Sequence, residues 1–229
     1  MIKRKTVNSV ENIEKLEIFY VRHADTSGAS CGDRDKCDID LSELGEIQAK
    51  LVGERFAGRQ FDAVFSSPLV RVVKTAAAVA EKLSDKPEIE IMPELVECGT
   101  TYGYLGQNPD YLKKYYDNLT LCKDRIYSDE NGFFPTDSDE ENYKRAKSVI
   151  NYFRKRFTYG QKIIVFSHGS FGNSLLPASV DAGVIEFILS ISNTSVSKIK
   201  YTTDGKERIS FQNDFSHLRN IMPDYEFDV

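Results

Sequence analysis

One stretch of the chain reads Ile18-Phe19-Tyr20-Val21-Arg22-His23-Ala24-Asp25-Thr26, an apolar strand pattern that ends in a cation, an imidazole and a turn. A second stretch of the same design, Ile163-Ile164-Val165-Phe166-Ser167-His168-Gly169-Ser170, lies far downstream. Such apolar runs are typical of strands buried on both faces of a parallel sheet. Because ligand crevices form outside the carboxyl ends of strands in open α/β sheets, we expect His23 and His168 to share one pocket.

Helix patterns occur between the strand patterns. Ser42 is a predicted N-cap, and the helix after it should bury the apolar side chains at helical spacing, which are Leu44, Ile47, Leu51, Val52 and Phe56. A second helix is predicted from Pro68 to about Leu83, with proline in its first turn. The capping box that starts at Ser138 predicts a third, with an apolar stripe at Tyr143, Ala146, Val149, Ile150, Phe153 and Phe157.

Shorter elements complete the pattern. Strands are predicted at Phe61–Phe65 and Glu88–Met92, and a hairpin across Asp204-Gly205 joins Ser195–Tyr201 to Arg208–Phe211. Further helices are predicted at Tyr111–Tyr116, from Phe171 up to a break at Pro177, and at Gly183–Ile191. Strands that alternate with helices predict a three-layer α/β/α sandwich with a mostly parallel central sheet. We expect one domain over residues 1–229, with a polar lead-in at 1–15 and a lid-like insertion at about 99–136.

Composition argues against several classes of protein. The formal net charge of −5 argues against nucleic-acid binding, and no apolar run approaches the roughly 18 residues of a membrane helix. The basic start at residues 1–5 is followed by polar residues, so we expect a cytoplasmic protein. Cysteines in that compartment should stay reduced, and these lie at no metal-ligand spacing: Cys31, Cys37, Cys98 and Cys122. Nothing in the sequence predicts the oligomeric state.

Two arginines are predicted beside the two histidines. Arg22 precedes His23, and Arg71 falls near the start of the second helix, where the helix amino terminus adds to anion affinity. Guanidinium groups match phosphoryl oxygens, so Arg22, Arg71 and a protonated His168 could hold a phosphoryl group. An unprotonated nitrogen of His23 could then attack phosphorus. A carboxylic acid, for which Glu97 is the candidate, would protonate the leaving oxygen and later activate water.

Each of these residues, taken alone, also has a structural explanation. A histidine at a strand end can simply be hydrogen-bonded, Arg22 can pair with Asp25, and Glu97 is one of 35 acidic residues. The pairing of two strand-end histidines with two arginines is what favours a phosphate site.

The same residues carry a resemblance to the histidine phosphatase superfamily, the group that includes phosphoglycerate mutases. Arg22-His23-Ala24-Asp25-Thr26 resembles the family's Arg-His-Gly-Glu-Thr signature. Ser66-Ser67-Pro68-Leu69-Val70-Arg71 with Thr75-Ala76 is similar to its Ser-Ser-Pro-Leu-x-Arg-Ala-x-x-Thr-Ala motif, and Ser167-His168-Gly169 matches its second histidine motif. These motifs occur in the family's order, and the resemblance covers about residues 16–218.

The resemblance implies a phosphoglycerate mutase-like fold and a phosphatase reaction on a small phosphorylated substrate, without a cofactor or metal. It makes His23 the phosphorylated nucleophile and places Arg22, Arg71 and His168 around the phosphate. Leu95-Val96-Glu97 fits the family's Leu-x-Glu, so Glu97 would be the proton donor in preference to Glu94. His217 would be structural.

Departures from the family pattern bear on the reaction. Ala24 replaces a glycine beside the nucleophile, which requires that its φ angle not be positive. The segment after Glu97 lacks the family's usual glycine and aromatic-Glu-Gly, and residues 107–136 lack the mutases' basic residues for a substrate carboxylate. We therefore predict a phosphatase. A mutase-type phosphotransferase and a low-turnover phosphate-binding or regulatory module are the alternatives.

Overall fold

A central sheet organises the fold. The structure, a computed structural model, describes residues 14–28, 38–98, 108–124, 126 and 138–222. The strands of this part of the chain are β1 (Glu14–Arg22), β2 (Ala63–Ser66), β3 (Ile89–Ile91), β4 (Leu119–Leu121), β5 (Gln161–Ser167), β6 (Val196–Thr202) and β7 (Glu207–Asp214). They form one seven-stranded sheet in the order β4-β3-β2-β5-β1-β6-β7.

The sheet is mostly parallel, as predicted. β5 pairs in parallel with β1 and β2, and β3 pairs in parallel with β2 and β4. β6 runs antiparallel to β1, and the β6–β7 hairpin closes that edge as expected. In the register of the three central strands, Phe166 is opposite both Val21 and Ser66. The carboxyl ends of β1, β5 and β2 therefore lie side by side.

Helices cover both faces of the sheet. They are α1 (Glu43–Phe56), α2 (Val70–Ala80), α3 (Pro109–Leu112), α4 (Asp139–Arg156) and α5 (Gly169–Ser179). Alternate residues of a strand point to opposite faces, so Phe19 and Val21 pack with α1 and α2, whereas Ile18 and Tyr20 pack with α4 and α5. These two cores confirm the predicted three-layer α/β/α sandwich.

The predicted N-caps are confirmed, but the predicted buried face of α1 is partly wrong. Ser42 and Ser138 each accept a hydrogen bond from the backbone nitrogen three residues later. Leu44 and Ile47, expected in the core, are 40% and 48% exposed. The helix instead buries a face that includes Gly45, where a Cβ would collide with the Asp25 carbonyl oxygen. Close backbone approach thus turned α1 away from the orientation that hydrophobic spacing favours.

Other boundaries differ from the predictions. α2 begins at Val70, so Pro68 precedes the helix. α5 continues through Pro177, which lies in its last turn, where a missing N–H removes only one helical bond. The helix predicted at residues 183–191 is wrong, because hydrogen bonds to neighbouring elements hold this segment in an irregular path. The short helix near Tyr111 spans Pro109–Leu112, and β4 was not predicted.

Several predictions fall wholly or partly outside the described residues. These are Cys31, Cys37, most of the lead-in, and residues 99–107, 125 and 127–136 of the expected lid. The described part of that insertion contributes α3 and β4 beside β3, and its action as a lid stays a prediction. Within the described ranges, no helix has the length and apolar character needed to span a bilayer.

Candidate active site

Three neighbouring strand ends bring the predicted site residues together. His23 follows β1, and His168 follows β5. β2 leads through Ser67 into α2, whose second residue is Arg71. The imidazole ring centroids of His23 and His168 are 5.1 Å apart. The structure therefore joins both histidines in one site, as the strand pattern predicted.

Hydrogen bonding fixes the protonation of His23. Its Nδ1 lies 2.7 Å from the Ala24 carbonyl oxygen, which can only accept, so Nδ1 carries the proton and Nε2 keeps a lone pair. Burial, together with the charges of Arg71 and Arg22, lowers the pKa of His23 to about 3. The backbone is held by a bond from the Ala24 nitrogen to Thr75 Oγ1 at 3.0 Å. The ring is therefore a neutral potential nucleophile.

Ala24 fits beside this nucleophile without backbone strain. The φ angle of Ala24 is not positive, so this position does not require the glycine of the family signature. Its methyl group is fully buried with Leu41 and Ala49. The departure from the signature is thus accommodated locally.

His168 is also neutral in this structure. Arg71 Nη2 donates to His168 Nδ1 at 3.4 Å, and the Nε2 proton is donated to Ser67 Oγ at 2.8 Å. Burial holds the pKa of His168 well below its usual value, and the positive charge of Arg71 lowers it further. The protonated His168 expected with a bound phosphoryl group stays a prediction; without that anion, burial and the charge of Arg71 favour the neutral ring.

Arg22 is positioned by a carbonyl and by a glycine. Its Nη1 donates to the Ile191 carbonyl oxygen at 2.6 Å. A Cβ on Gly169 would lie 3.2 Å from Arg22 Nε, so glycine leaves room for the guanidinium. Arg22 Nε is buried and has no hydrogen-bond partner among the described residues. Because an unsatisfied buried donor is costly, this N–H is suited to an anionic ligand oxygen.

Glu97 lies at the amino terminus of α5. Its Oε1 accepts hydrogen bonds from the backbone nitrogens of Cys98 and Phe171, each at 2.9 Å, and Oε2 lies 3.4 Å from the Ser170 nitrogen. Burial raises the pKa of Glu97, although these N–H groups oppose the shift. Burial thus favours the protonated form of Glu97, while the N–H groups can stabilise its carboxylate. A general acid that later acts as a base needs both forms.

Glu94 has a different environment. It is fully buried, and its Oε1 accepts a hydrogen bond from the Ile126 nitrogen at 3.1 Å. Glu97 and Arg22, by contrast, line one cavity of about 300 Å³ together with Gly169, Ser170, Asn173 and residues 188–191. The geometry therefore favours Glu97 over Glu94 as the group that meets a ligand. Within the described residues, no three His, Cys, Asp or Glu side chains could hold a metal ion.

Sequence reasoning missed residues that support the site. Ser67 contacts His168, and Thr75 contacts the backbone beside His23; both lie in quoted motifs, but no role was assigned to them. Asn193 Nδ2 donates to the His23 carbonyl oxygen at 3.0 Å, and no spacing signal marks it. His217, expected to be structural, bonds Thr194 Oγ1 at 3.0 Å and lies 3.3 Å from Arg55 Nη1.

Comparisons with known proteins agree with the fold. Phosphoserine phosphatase 1 of Hydrogenobacter thermophilus is 28% identical over 158 residues, covering 67% of this chain and 71% of that protein. A 2,3-bisphosphoglycerate-dependent phosphoglycerate mutase of Methanococcus vannielii is 27% identical over 191 residues, covering 72% and 77%. The crystal structure of phosphoserine phosphatase from Entamoeba histolytica in complex with 3-phosphoglyceric acid superimposes with a TM-score of 0.59 at 21% identity, covering 89% of this chain and 99% of that one.

A family model also matches most of the chain. The model of the histidine phosphatase superfamily (branch 1) matches residues 18–214. That range contains both strand-end histidines, both arginines and Glu97. It also contains all seven strands of the described sheet, apart from the first four residues of β1. We conclude that this chain belongs to the histidine phosphatase superfamily.

Proposed function

We propose that the protein is a metal-independent phosphomonoesterase that acts on a small phosphorylated metabolite through a phosphorylated His23. The observation that carries this proposal is a buried, neutral imidazole whose Nδ1 proton is held by the Ala24 carbonyl. Its lone pair is left on Nε2, and the ring lies beside His168 and two guanidinium groups. The phosphatases among its relatives support the same reaction class.

In the first step, Nε2 of His23 forms a bond to phosphorus while the bond from phosphorus to the ester oxygen breaks. Arg22, Arg71 and His168 hold the non-bridging oxygens and spread their charge. The bound anion favours the imidazolium form of His168, so binding raises the pKa that burial and Arg71 lower in the unliganded protein. Glu97 gives its proton to the ester oxygen, and the product leaves as a neutral alcohol.

In the second step, the Glu97 carboxylate takes a proton from a water molecule. The water oxygen attacks the phosphorus of phospho-His23, the bond to Nε2 breaks, and inorganic phosphate is released. The backbone N–H groups of Cys98 and Phe171 stabilise the carboxylate between the two steps. The proton that Glu97 donated is thereby replaced, so the cycle needs no other acid.

A mutase is the second candidate, because two relatives are named as phosphoglycerate mutases. Phospho-His23 would then return its phosphoryl group to a phosphorylated substrate instead of to water. We call the cavity that Arg22 and Glu97 line the catalytic cavity. Arg22 is the one cationic side chain among its described lining residues, and both Arg22 and Arg71, which lies outside this lining, are assigned to the phosphoryl group. This lining therefore offers no second cation for a substrate carboxylate, which favours the phosphatase.

A low-turnover binding module is the third candidate. In that case His23 would still become phosphorylated, but the second step would be impaired, and one equivalent of alcohol would be released before turnover stopped. Sustained release of both alcohol and phosphate in equal amounts distinguishes the phosphatase from this module.

We also propose that the protein acts in the cytoplasm. Cys122 is a buried thiol in contact with Tyr152 Oη, which fits a reducing compartment. Fractionation of cells that express the natural protein tests this location, and recovery from a secreted or membrane fraction would contradict it.

The test of the reaction is release of alcohol and phosphate from a generic aryl phosphate in the presence of a chelator. The proposal predicts many turnovers by the wild type and their loss in His23→Ala. Addition of 3-phosphoglycerate to the same reaction tests for transfer, and a bisphosphorylated product would support the mutase. Turnover that survives His23→Ala would refute the proposed nucleophile.

A further inference from the structure

A segment after α5 forms a wall beside the catalytic cavity. We call residues 183–191 the wall segment. At one end the Gly183 nitrogen donates to Tyr143 Oη at 3.1 Å, and at the other Arg22 Nη1 donates to the Ile191 carbonyl oxygen at 2.6 Å. Between them the Leu189 nitrogen donates to Asn173 Oδ1 at 2.6 Å. The wall segment is therefore fixed to α4, α5 and β1.

The wall segment exposes apolar side chains despite being fixed. Phe187 is 64% exposed and Ile188 is 88% exposed, and Val184 lies three residues before Phe187. A single exposed hydrophobic residue needs no explanation, but three within five residues form a patch. An exposed apolar patch of this kind is typical of a surface that a ligand or a partner covers.

These side chains line a second cavity that joins the first. This cavity has a volume of about 320 Å³ and is bounded by the starts of α4 and α5 and by the wall segment. It shares Ser170, Asn173 and Ile188 with the catalytic cavity. The Ser170 nitrogen lies 3.4 Å from Glu97 Oε2, so the second cavity begins beside the proposed proton donor. That is the side on which an alcohol would leave.

The charge of the second cavity restricts what it accepts. Asp139 and Glu186 contribute carboxylates to its lining, and no lysine or arginine does so within the residues that the structure describes. A ligand carboxylate placed there would meet like charges without a compensating cation. An apolar group would instead cover Val184, Phe187 and Ile188.

We infer that the second cavity is a leaving-group subsite that selects phosphomonoesters of apolar alcohols and disfavours esters whose alcohol carries a carboxylate. This inference rests on the proposed function, since it assigns the alcohol side of the same reaction. It separates this chain from its relatives that are phosphoserine phosphatases or phosphoglycerate mutases, because both phosphoserine and phosphoglycerates carry a carboxylate. Phe187 and Glu186 are its specificity-determining residues.

Binding of phosphonates tests the subsite without relying on turnover. The probes are ethylphosphonate, 2-phenylethylphosphonate and 2-carboxyethylphosphonate, measured by calorimetry. The wild type is expected to bind the phenyl compound at least about tenfold more tightly than the ethyl compound, because the ring is buried. It is expected to bind 2-carboxyethylphosphonate about threefold more weakly than ethylphosphonate, because repulsion between exposed charges is of that size.

Variants locate the effect in the wall segment. Phe187→Ala should lower the phenyl-to-ethyl affinity ratio to about twofold, and Glu186→Gln should reduce the penalty on the carboxylate compound. The matched control is Tyr159→Ala, since Tyr159 is 90% exposed in the turn between α4 and β5, and it should keep the wild-type ratios. Equal affinities of the phenyl and ethyl compounds, or tighter binding of the carboxylate, would overturn the inference.

Turnover of 2-phenylethyl phosphate separates this inference from the proposed function. Hydrolysis that is faster than that of ethyl phosphate supports both, because both esters release a primary alcohol of similar intrinsic reactivity. Selective binding of phosphonates without hydrolysis of any ester would support the subsite and contradict the phosphatase activity. Hydrolysis of all esters at similar rates would support the phosphatase activity and contradict the subsite.

Discussion

Glu97→Gln removes the proposed proton donor with little change in shape. Glu97 Oε1 accepts both short hydrogen bonds, from the Cys98 and Phe171 nitrogens at 2.9 Å, and a glutamine oxygen can take its place. The new amide nitrogen would replace Oε2, whose contact with the Ser170 nitrogen is the long one at 3.4 Å. The variant should therefore fold normally and lose only the proton transfer.

The size of the effect should depend on the alcohol that leaves. Positioned acid–base catalysis contributes about 10²- to 10⁴-fold, so hydrolysis of an alkyl phosphate should fall by that factor in Glu97→Gln. 4-Nitrophenolate leaves without a proton, so phosphorylation of His23 by 4-nitrophenyl phosphate should be nearly unaffected. Attack by water still needs a base. Stopped-flow measurement should thus show a burst of about one nitrophenolate for each site, followed by slow turnover.

The pH dependence gives a second measurement on the same variant. For an alkyl phosphate, the wild-type kcat/KM should fall at low pH as His23 is protonated near its pKa of about 3. It should also fall at high pH, as Glu97 loses its proton above its raised pKa. Glu97→Gln should lose this high-pH decline.

Glu94→Gln is the matched control for the assignment of the acid. It makes the same change three residues earlier, in a side chain that is fully buried and bonded to the Ile126 nitrogen. This variant should lose stability without a burst or a new dependence on the leaving group. Wild-type hydrolysis of alkyl phosphates by Glu97→Gln, or a burst in Glu94→Gln, would refute the reasoning.

Two further predictions concern stability. Gly45→Ala should lower the free energy of unfolding by about 1–3 kcal/mol, because its Cβ would collide with the Asp25 carbonyl oxygen, whereas Gly28→Ala, with open space around it, should not. Equal denaturant midpoints for the two variants would contradict this. Acid should destabilise the protein: the folded pKa of His23 is about 3 and that of His217 about 4, so the unfolded chain takes up protons first as the pH falls below about 6.5. Denaturant titrations between pH 7 and pH 4 should show this loss, of order a few kcal/mol, and an unchanged free energy of unfolding would contradict it.

The parts of the fold that follow from local patterning were predictable. The apolar runs before His23 and His168 are strands, and Ser42 and Ser138 are N-caps, because these signals reside in a few adjacent residues. The convergence of the site followed from topology, since parallel strands present their carboxyl ends at one edge.

What sequence reasoning missed depends on contacts between distant residues. Leu44 and Ile47 have the spacing of a buried stripe, yet α1 turns Gly45 inward, where it approaches the backbone of Asp25. The segment at residues 183–191 has helical spacing, yet bonds to Asn173 and Arg22 hold it in an irregular path. Local propensity is a weak preference that such tertiary bonds override. The second cavity was not predicted either, because its walls come from segments that are distant in the sequence.

The protonation of the two histidines also required the structure. From the sequence, a protonated His168 was predicted only for the state in which it holds a phosphoryl group. Its burial and its hydrogen bonds to Arg71 and Ser67 favour a neutral ring before an anion binds. The sequence predicted that the histidines and arginines share one site, but it did not predict how burial and the arginine charges shift the histidine pKa values.

The most direct test of the account is mass analysis of the protein after rapid alkaline quenching of its reaction with 4-nitrophenyl phosphate. The wild type and Glu97→Gln should each gain one phosphoryl group, which should accumulate in the variant, and peptide mapping should place it on His23. His23→Ala should gain none and should release no nitrophenolate. A phosphoryl group on another residue, or catalysis by His23→Ala, would contradict the central claim.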